Sequence, residues 1–400
     1  MTRLSPPSAA PRAPEWRLSP WAERLLVVCV ALALVAPGAG TLLGLDSEVA
    51  RDAPAAAAPV AGLADFSRHF ATRFAFRPRL VRWQAALRYT LFGVSPLTTV
   101  LRGRDGWWFY ADDGAIEDAT RATPFTAVEL DEWGTTLQRT ADWLAAQGIA
   151  YVFVLAPDKH TIYPEFLPLS MRLDADRVSR ADQLVGMLRA RTTVPVVDLR
   201  QTLVEAKAEG RTYHRTDTHW NDPGAAAAYR QIIAAVRAQV PAVPVAEPDA
   251  AFRLVPRDVP GMDLAEMAGL TRLTTETDLA LVPRRPRVAR VVEPAHTDPG
   301  FATARLVTVV DDPALPRALV YRDSFGSALV PFLAEHFSRA VFLWEYDVMP
   351  STVRQERPQV VIQEWAGRRL FTRLPWDAVG EDREAADEAA AISSSRAARR

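Results

Sequence analysis

Along much of this chain the apolar residues gather into short unbroken runs. Residues 149–156 read IAYVFVLA, 317–321 RALVY, 340–344 AVFLW and 360–363 VVIQ. Runs this short and this continuous predict strands buried on both faces. A helical period separates them: over 126–147, Leu130, Trp133, Leu137 and Leu144 fall on one side, and Gly148 ends the pattern. A second helix around 181–191 precedes the strand 195–199, and a third, 223–240, starts where Asn221 or Asp222 can cap it and Pro223 fits its first turn. Helices feeding apolar strands predict an α/β core, a parallel sheet flanked by helices.

The longest apolar run, 25–45, reads LLVVCVALALVAPGAGTLLGL without a charge. About 20 such residues match a bilayer core of about 30 Å. Arg3, Arg12, Arg17 and Arg24 precede it and Asp46, Glu48 and Asp52 follow it, which orients the remainder outward. The expectation is an N-terminal transmembrane helix, single-pass in the cell inner membrane, with the catalytic domain in the periplasm. A cleaved signal peptide, processed near 36–43, gives the same sidedness. The domain plan is then a short cytoplasmic tail at 1–24, the anchor at 25–45, a linker and membrane-proximal helical region at 46–96, a catalytic domain at 97–380 and a flexible tail at 381–400. Within the catalytic domain, 241–316 is rich in Pro and charge with no clean period, and reads as an irregular insertion. In the membrane-proximal region Phe66, Phe70, Phe74, Trp83, Leu87 and Phe92 are spaced to pack one helical face inward.

Composition narrows the partners. A formal net charge of -1 with no basic block gives no reason to expect nucleic acid. The single cysteine, Cys29, lies in the first apolar run, so neither an internal disulfide nor a cysteine metal cluster is available.

Two short polar segments carry the chemistry. TDTHWN at 216–221 offers Asp217 and His219, and YRDSFG at 321–326 offers Ser324 just after a predicted strand. In open α/β sheets functional groups collect at the C-terminal ends of strands. A hydroxyl, an imidazole and a carboxylate are the parts that activate serine for acyl transfer. Two other readings share these residues: zinc ligation by Asp217, His219 and His214, and purely local roles in which Ser324 or Asp217 caps a helix and His219 sits hydrogen-bonded in the core. Asp158 and Lys159 follow the 149–156 strand and can reach the same crevice, where Lys159 binds an anionic sugar or donor, or stays solvated. Tyr163 and Trp220 either stack on a sugar or pack internally. Glu364 and Arg368, after the last strand, read as an ion pair or cap that supports the fold.

The segments GRDGWWFY at 103–110, APDKHTIYPEFLP at 156–168, TDTHWNDPG at 216–224, YRDSFG at 321–326 and VVIQEWAGRRL at 360–370 together resemble the AlgJ/AlgX type of alginate O-acetyltransferases, within the SGNH-hydrolase-like superfamily. The resemblance spans about 97–371 and implies that Asp217 and His219 are the acid and base and Ser324 the nucleophile. It further implies acetyl transfer to a hydroxyl of an exported polysaccharide, with no cofactor required. The acetyl donor is then delivered by a membrane-bound O-acyltransferase, within a polysaccharide export or synthesis complex. Arg322 stands where many such enzymes have glycine, giving RDS rather than GDS and altering the usual oxyanion-hole turn. The alternatives are a carbohydrate O-acetyl esterase, which hands the same intermediate to water, and a non-catalytic glycan-binding assembly subunit.

Overall fold

The computed structural model describes residues 19–42, 76–171, 177–294 and 305–382. The chain divides into two compact units, Met1–Gln84 and Ala85–Arg400. In the first, the apolar run forms the helix Pro20–Leu42. Among the described residues, however, no helix is long and apolar enough to cross a membrane. The helix opens on Glu23 and Arg24, and after Val35 its sequence turns to Ala36-Pro37-Gly38-Ala39-Gly40. The stretch between, 25–35, rises only about 16 Å, roughly half a bilayer core. The expected transmembrane anchor at 25–45 is therefore corrected, and with it the single-pass inner-membrane placement. Residues 1–18 of the expected cytoplasmic tail, residues 46–75 of the expected linker with Phe66, Phe70 and Phe74, and most of the 381–400 tail lie outside the described residues.

Among its described residues the larger unit has eleven strands: β1 Val100–Arg102, β2 Trp108–Tyr110, β3 Ala150–Ala156, β4 Val196–Asp198, β5 Phe252–Pro260, β6 Thr275–Pro283, β7 Arg290–Pro294, β8 Arg305–Val309, β9 Arg317–Tyr321, β10 Arg339–Leu343 and β11 Val360–Ala366. Seven form the central sheet in the order β4-β3-β11-β9-β10-β8-β7. From β4 to β10 the neighbours are parallel, whereas β8 joins β10, and β7 joins β8, antiparallel. The sheet is mixed, which corrects the purely parallel expectation. Both antiparallel strands come from 241–316, the stretch read as irregular. The same stretch also supplies the nine-residue antiparallel ribbon of β5 and β6. Short Val/Leu stretches among prolines and arginines hide such strands from a periodicity count.

The parallel strands are buried on both sides, as their unbroken apolar character requires. In β3, Val152, Val154 and Ala156 join one core cluster, with the helix Asp222–Gln239. Tyr151, Phe153 and Leu155 join the other, under the helices Ala127–Ala145 and Arg180–Arg191. This alternation is the two-residue period of a pleated strand. Both covering helices on the second face start in capping boxes, Thr126 with Glu129 and Ser179 with Asp182, which satisfy amides that the first turn cannot pair. The helix Arg77–Phe92 reaches the larger unit from Ala85 onward. There Ala85 is buried and the Tyr89 ring lies 5.6 Å from that of Trp108. Leu87, Phe92 and, in the smaller unit, Trp83 are exposed rather than packed inward as expected.

Candidate active site

Strand β9 ends at Tyr321, and the chain turns through Arg322 and Asp323 into the short helix Ser324–Ser327. The helix continues only in pieces, Val330–Leu333 and a 3-10 turn at Ala334–His336, because Pro331 withholds an amide. Asp323, not Ser324, is its N-cap: Oδ1 accepts from Phe325 N at 2.9 Å. Its Oδ2 accepts from Ala366 N at 3.1 Å, tying the turn to the end of β11. Asp323 N donates in turn to Glu364 Oε2 at 3.0 Å. Ser324 is left half-buried at the helix start. Gly326 permits this close turn, since a Cβ there would lie 2.5 Å from Arg322 Cβ and 3.0 Å from Glu364 Oε2.

Glu364 is fully enclosed within β11. Burial, followed by the charge of Asp323, raises its pKa well above the ordinary carboxyl value. Burial and that neighbouring charge both favour its neutral form under the serine turn. Arg322 is buried too, with Nη1 donating to Ser327 Oγ at 2.8 Å and to Asp323 O at 3.2 Å while the guanidinium covers the Trp344 ring. The arginine that replaces the usual glycine thus braces the helix from below. The amides of Asp323 and Phe325 are both committed, so neither is open to a developing oxyanion.

The histidine segment forms an arch. Tyr213 and Trp220 make an antiparallel bridge, and Asn221 N donates to Thr212 O at 3.1 Å. Asn221 then caps the helix Asp222–Gln239 through Gly224 N. Backbone groups pointing away from the arch are met by buried charge. Lys159 Nζ donates to the carbonyls of His214 at 3.1 Å, Arg215 at 3.2 Å and Asp217 at 2.6 Å. Glu276, on β6, accepts from Arg215 N at 2.7 Å, Thr216 N at 2.8 Å and Thr216 Oγ1 at 2.6 Å. Beyond the Tyr213–Trp220 bridge, one cation thus holds three carbonyls and one anion two amides of the arch.

Within the arch, Asp217 Oδ1 accepts from His219 N at 2.9 Å and lies 2.8 Å from His219 Nδ1. That contact puts the proton on Nδ1 and leaves Nε2 as the basic nitrogen. Burial works to lower the His219 pKa, but the hydrogen bond and charge of Asp217 outweigh it and the net shift is upward. The Asp217 carboxyl is held below its ordinary range: burial opposes ionisation, and the His219 hydrogen bond and charge prevail. His219 Nε2 is buried and has no hydrogen-bond partner among the described residues. The His219 ring packs edge-on to Phe325, centroids 5.0 Å apart, and Trp220 meets the same ring at 5.0 Å. Phe325 is the residue after Ser324, so these contacts bring the histidine arch and the serine turn together.

The remaining candidates take structural places. Asp158 and Arg368 form a buried pair: Arg368 Nη1 lies 2.5 Å from Asp158 Oδ1, and Arg368 N donates to Oδ2 at 2.6 Å. The Tyr163 hydroxyl bonds with Thr212, its ring stacks on Trp107 at 4.3 Å, and it is not open to a sugar face. Trp220 is equally buried, and Lys159 is neither solvated nor turned toward a ligand. His214 departs from the zinc grouping, with Nδ1 3.6 Å from Glu276 and 3.7 Å from Asp278. The cluster with atoms close enough for a cation is Asp217, His219 and Asp263. In it Asp217 Oδ1 already meets two His219 nitrogens and Asp263 Oδ1 accepts from Thr218 N at 2.8 Å, so one oxygen of each carboxylate serves the protein's own donors.

Asp263 and Glu276 were missed in the sequence. Glu276 did leave a signal: Glu276, Asp278 and Ala280 share the buried phase of β6, and an acid on an inward phase demands a partner. Asp263, at the start of the short helix Asp263–Met267, reads as an ordinary first-turn acid.

The chain is 26% identical over 175 residues to a probable alginate O-acetylase AlgJ of Azotobacter vinelandii, and 29% identical over 174 residues to that of Pseudomonas aeruginosa. Each match covers 43% of this chain, and the chain spans about two fifths of these relatives' length, 42% and 41%. Among solved structures, Bacillus cereus PatB1 with a sulfonyl adduct aligns with a TM-score of 0.50 at 16% identity, covering 68% of this chain and 97% of that one, a likeness of fold. Residues 100–347, which contain the arch and the serine turn, match the family described as SGNH hydrolase-like domain, acetyltransferase AlgX, and the chain belongs to that family.

Proposed function

We propose that this protein transfers an acetyl group through an acyl-Ser324 intermediate to a hydroxyl of a polysaccharide. The observation that carries the reading is the Asp217–His219 pair, whose unpartnered Nε2 belongs to a ring packed on the residue next to Ser324. Family membership adds the acetyl chemistry, and the alginate O-acetylase relatives add the class of acceptor.

In the first half-reaction Ser324 Oγ attacks the acetyl carbonyl while His219 Nε2 takes the hydroxyl proton. Collapse of the tetrahedral intermediate breaks the bond to the donor, whose leaving oxygen receives that proton from His219. In the second half a sugar hydroxyl gives its proton to His219 and attacks the acyl-serine; the C–Oγ bond breaks, His219 returns the proton to Ser324 Oγ, and the acetylated sugar leaves. Asp217 holds the tautomer and stabilises the imidazolium in both halves. The His219 ring packs on Phe325, the residue after Ser324, and catalytic bonds of this kind commonly tighten only when substrate is bound. We assign the donor side to a membrane-bound O-acyltransferase and the setting to an alginate-type synthesis and export complex.

Intact-mass measurement after incubation with an activated acetyl ester tests the reading. Wild type gains one acetyl group and Ser324→Ala gains none. Adding candidate glycans then discharges the adduct into acetylated sugar. Rapid discharge to acetate, equal with and without glycan, identifies an esterase instead.

A further inference from the structure

Residues 262–264, from the stretch that looked irregular in sequence, are stitched to the histidine arch. Met262 N donates to Thr216 Oγ1 at 3.1 Å, Leu264 N to Thr216 O at 3.1 Å, and Thr218 N to Asp263 Oδ1 at 2.8 Å. The stitching leaves Asp263 Oδ2 3.8 Å from His219 Nδ1, the nitrogen that Asp217 holds at 2.8 Å. That separation is too long for a hydrogen bond and short enough for a strong charge interaction.

We infer that Asp263 is a positioning residue of this site: one carboxylate oxygen fixes the arch at Thr218 and the other holds the imidazole between two negative charges. The inference rests on the acyl-transfer reading above. Asp217 alone sets the tautomer, because it alone is in hydrogen-bonding range. Asp263 adds charge without competing for the Nδ1 proton, so it stabilises the imidazolium formed when His219 takes the serine proton. Arg368, from the turn after β11, acts on His219 in the opposite direction. The Phe325 ring lies edge-on to the imidazole and carries no charge. Lys159 lies at the carbonyls of the arch and acts on the two carboxylates. Burial and the Asp217 charge raise the pKa of Asp263, so its contribution fades on the acid side.

The test separates charge from the Thr218 bond. Asp263→Asn keeps an oxygen for Thr218 N and removes the charge, whereas Asp263→Glu restores charge on a longer arm. The primary readout is the His219 titration by NMR in the full chain, with the signal assigned among the six histidines by loss in His219→Gln. We expect Asp263→Asn to lower the His219 pKa by about one unit. The acid limb of acetyl-adduct formation moves down with it, and the plateau rate falls about three- to tenfold as the base weakens. Asp263→Glu recovers most of the shift. A folded Asp263→Asn whose His219 titrates with wild type overturns the inference, whatever happens to its stability. Should the asparagine variant unfold, Asp263→Ser, which also carries an oxygen acceptor, is read the same way. The titration does not depend on turnover: a missing acetyl adduct in wild type sinks the acyl-transfer reading, while the His219 shift still decides whether Asp263 acts on the imidazole.

Discussion

Lys159 Nζ donates to the backbone carbonyl of Asp217 at 2.6 Å, so the ammonium holds the arch that presents the Asp217 carboxylate to His219. Burial brings the lysine pKa down to about 8, against the opposing charges of Asp263, Asp217 and Glu276. Lys159→Met takes the ammonium donor from the carbonyls of His214 and Asp217 and leaves that of Arg215 with Trp108 N alone. The expected loss is about 2–4 kcal/mol, since bonds from charged donors are each worth about 1.5–3 kcal/mol and do not add fully. Acetyl-adduct formation should fall at least about tenfold at temperatures where the variant stays folded, because the acid loses its fixed position. A lysine that bound an acidic acceptor would instead raise KM for that acceptor and leave adduct formation and Tm alone.

The pH profile follows from His219. Its pKa is raised above the ordinary 6.5, and only the neutral imidazole takes the serine proton. Adduct formation should therefore rise with pH, with a midpoint above 6.5, and fall about tenfold per pH unit below it. For stability the sign is opposite: the raised pKa contributes stability that is complete below 6.5 and lost as pH rises through the folded value. Asp217→Asn removes the main cause of the upward shift, moves the midpoint down and slows the reaction by about 10^3–10^4-fold. A midpoint unchanged in Asp217→Asn sinks the assignment.

How far the sequence carried this site depended on what each residue needed from its surroundings. Strands β3, β9 and β11 were legible because a strand covered on both faces must be apolar throughout. The boundaries that hold Ser324 and His219, one after β9 and one before the helix Asp222–Gln239, were legible because compact polar segments interrupt the apolar pattern there. Strands β7 and β8 were not, since partly exposed strands among prolines and arginines carry no clean alternation. Lys159, Glu276 and Asp263 were read wrongly or passed over for one reason. Each acts on backbone amides or carbonyls of a distant loop, and backbone groups leave no mark in a sequence. The apolar run at 25–45 misled in the opposite sense, through length without sustained bulk.

Acid stability should report on Glu276. Burial pushes its carboxyl up, but His214, the Thr216 hydroxyl and the amides of Arg215 and Thr216 together hold it at about 2 against an ordinary 4.5. The difference corresponds to about 3 kcal/mol. That stability is present above pH 4.5 and lost as pH falls through about 2. Glu276→Gln should lower Tm at pH 7 and flatten the acid limb of the stability curve. Equal acid sensitivity in the two proteins argues against the role.

Glu364 carries the reverse sign. Its pKa is raised in the fold, so its stability contribution is complete below 4.5 and declines as pH rises toward the folded value. Glutamine has the same shape and keeps an acceptor for Asp323 N. Glu364→Gln should therefore gain on wild type between pH 4.5 and pH 8 in thermal melts, with the serine turn intact and adduct formation within about threefold. Glu364→Ala leaves Asp323 N unpaired and should lose about 1–3 kcal/mol at every pH. A glutamine variant that loses ground at pH 8 would show that the carboxyl is ionised beneath Ser324.

The buried pair of Asp158 and Arg368 closes the site from the β3 and β11 edges. Two charges out of water contribute little net stability, yet removing one strands the other. Arg368→Leu alone should lose about 3–5 kcal/mol, and so should Asp158→Leu, which also unpairs Arg368 N. The double variant should lose less than the sum by about 1–3 kcal/mol. Arg368 also lowers the His219 pKa, so Arg368→Leu should move the acid limb of adduct formation to higher pH in whatever fraction remains folded. Asp158→Leu leaves that guanidinium in place and should not move the limb upward. Additive losses together with an unmoved limb in Arg368→Leu would mean that the pair neither couples across the strand ends nor reaches the imidazole.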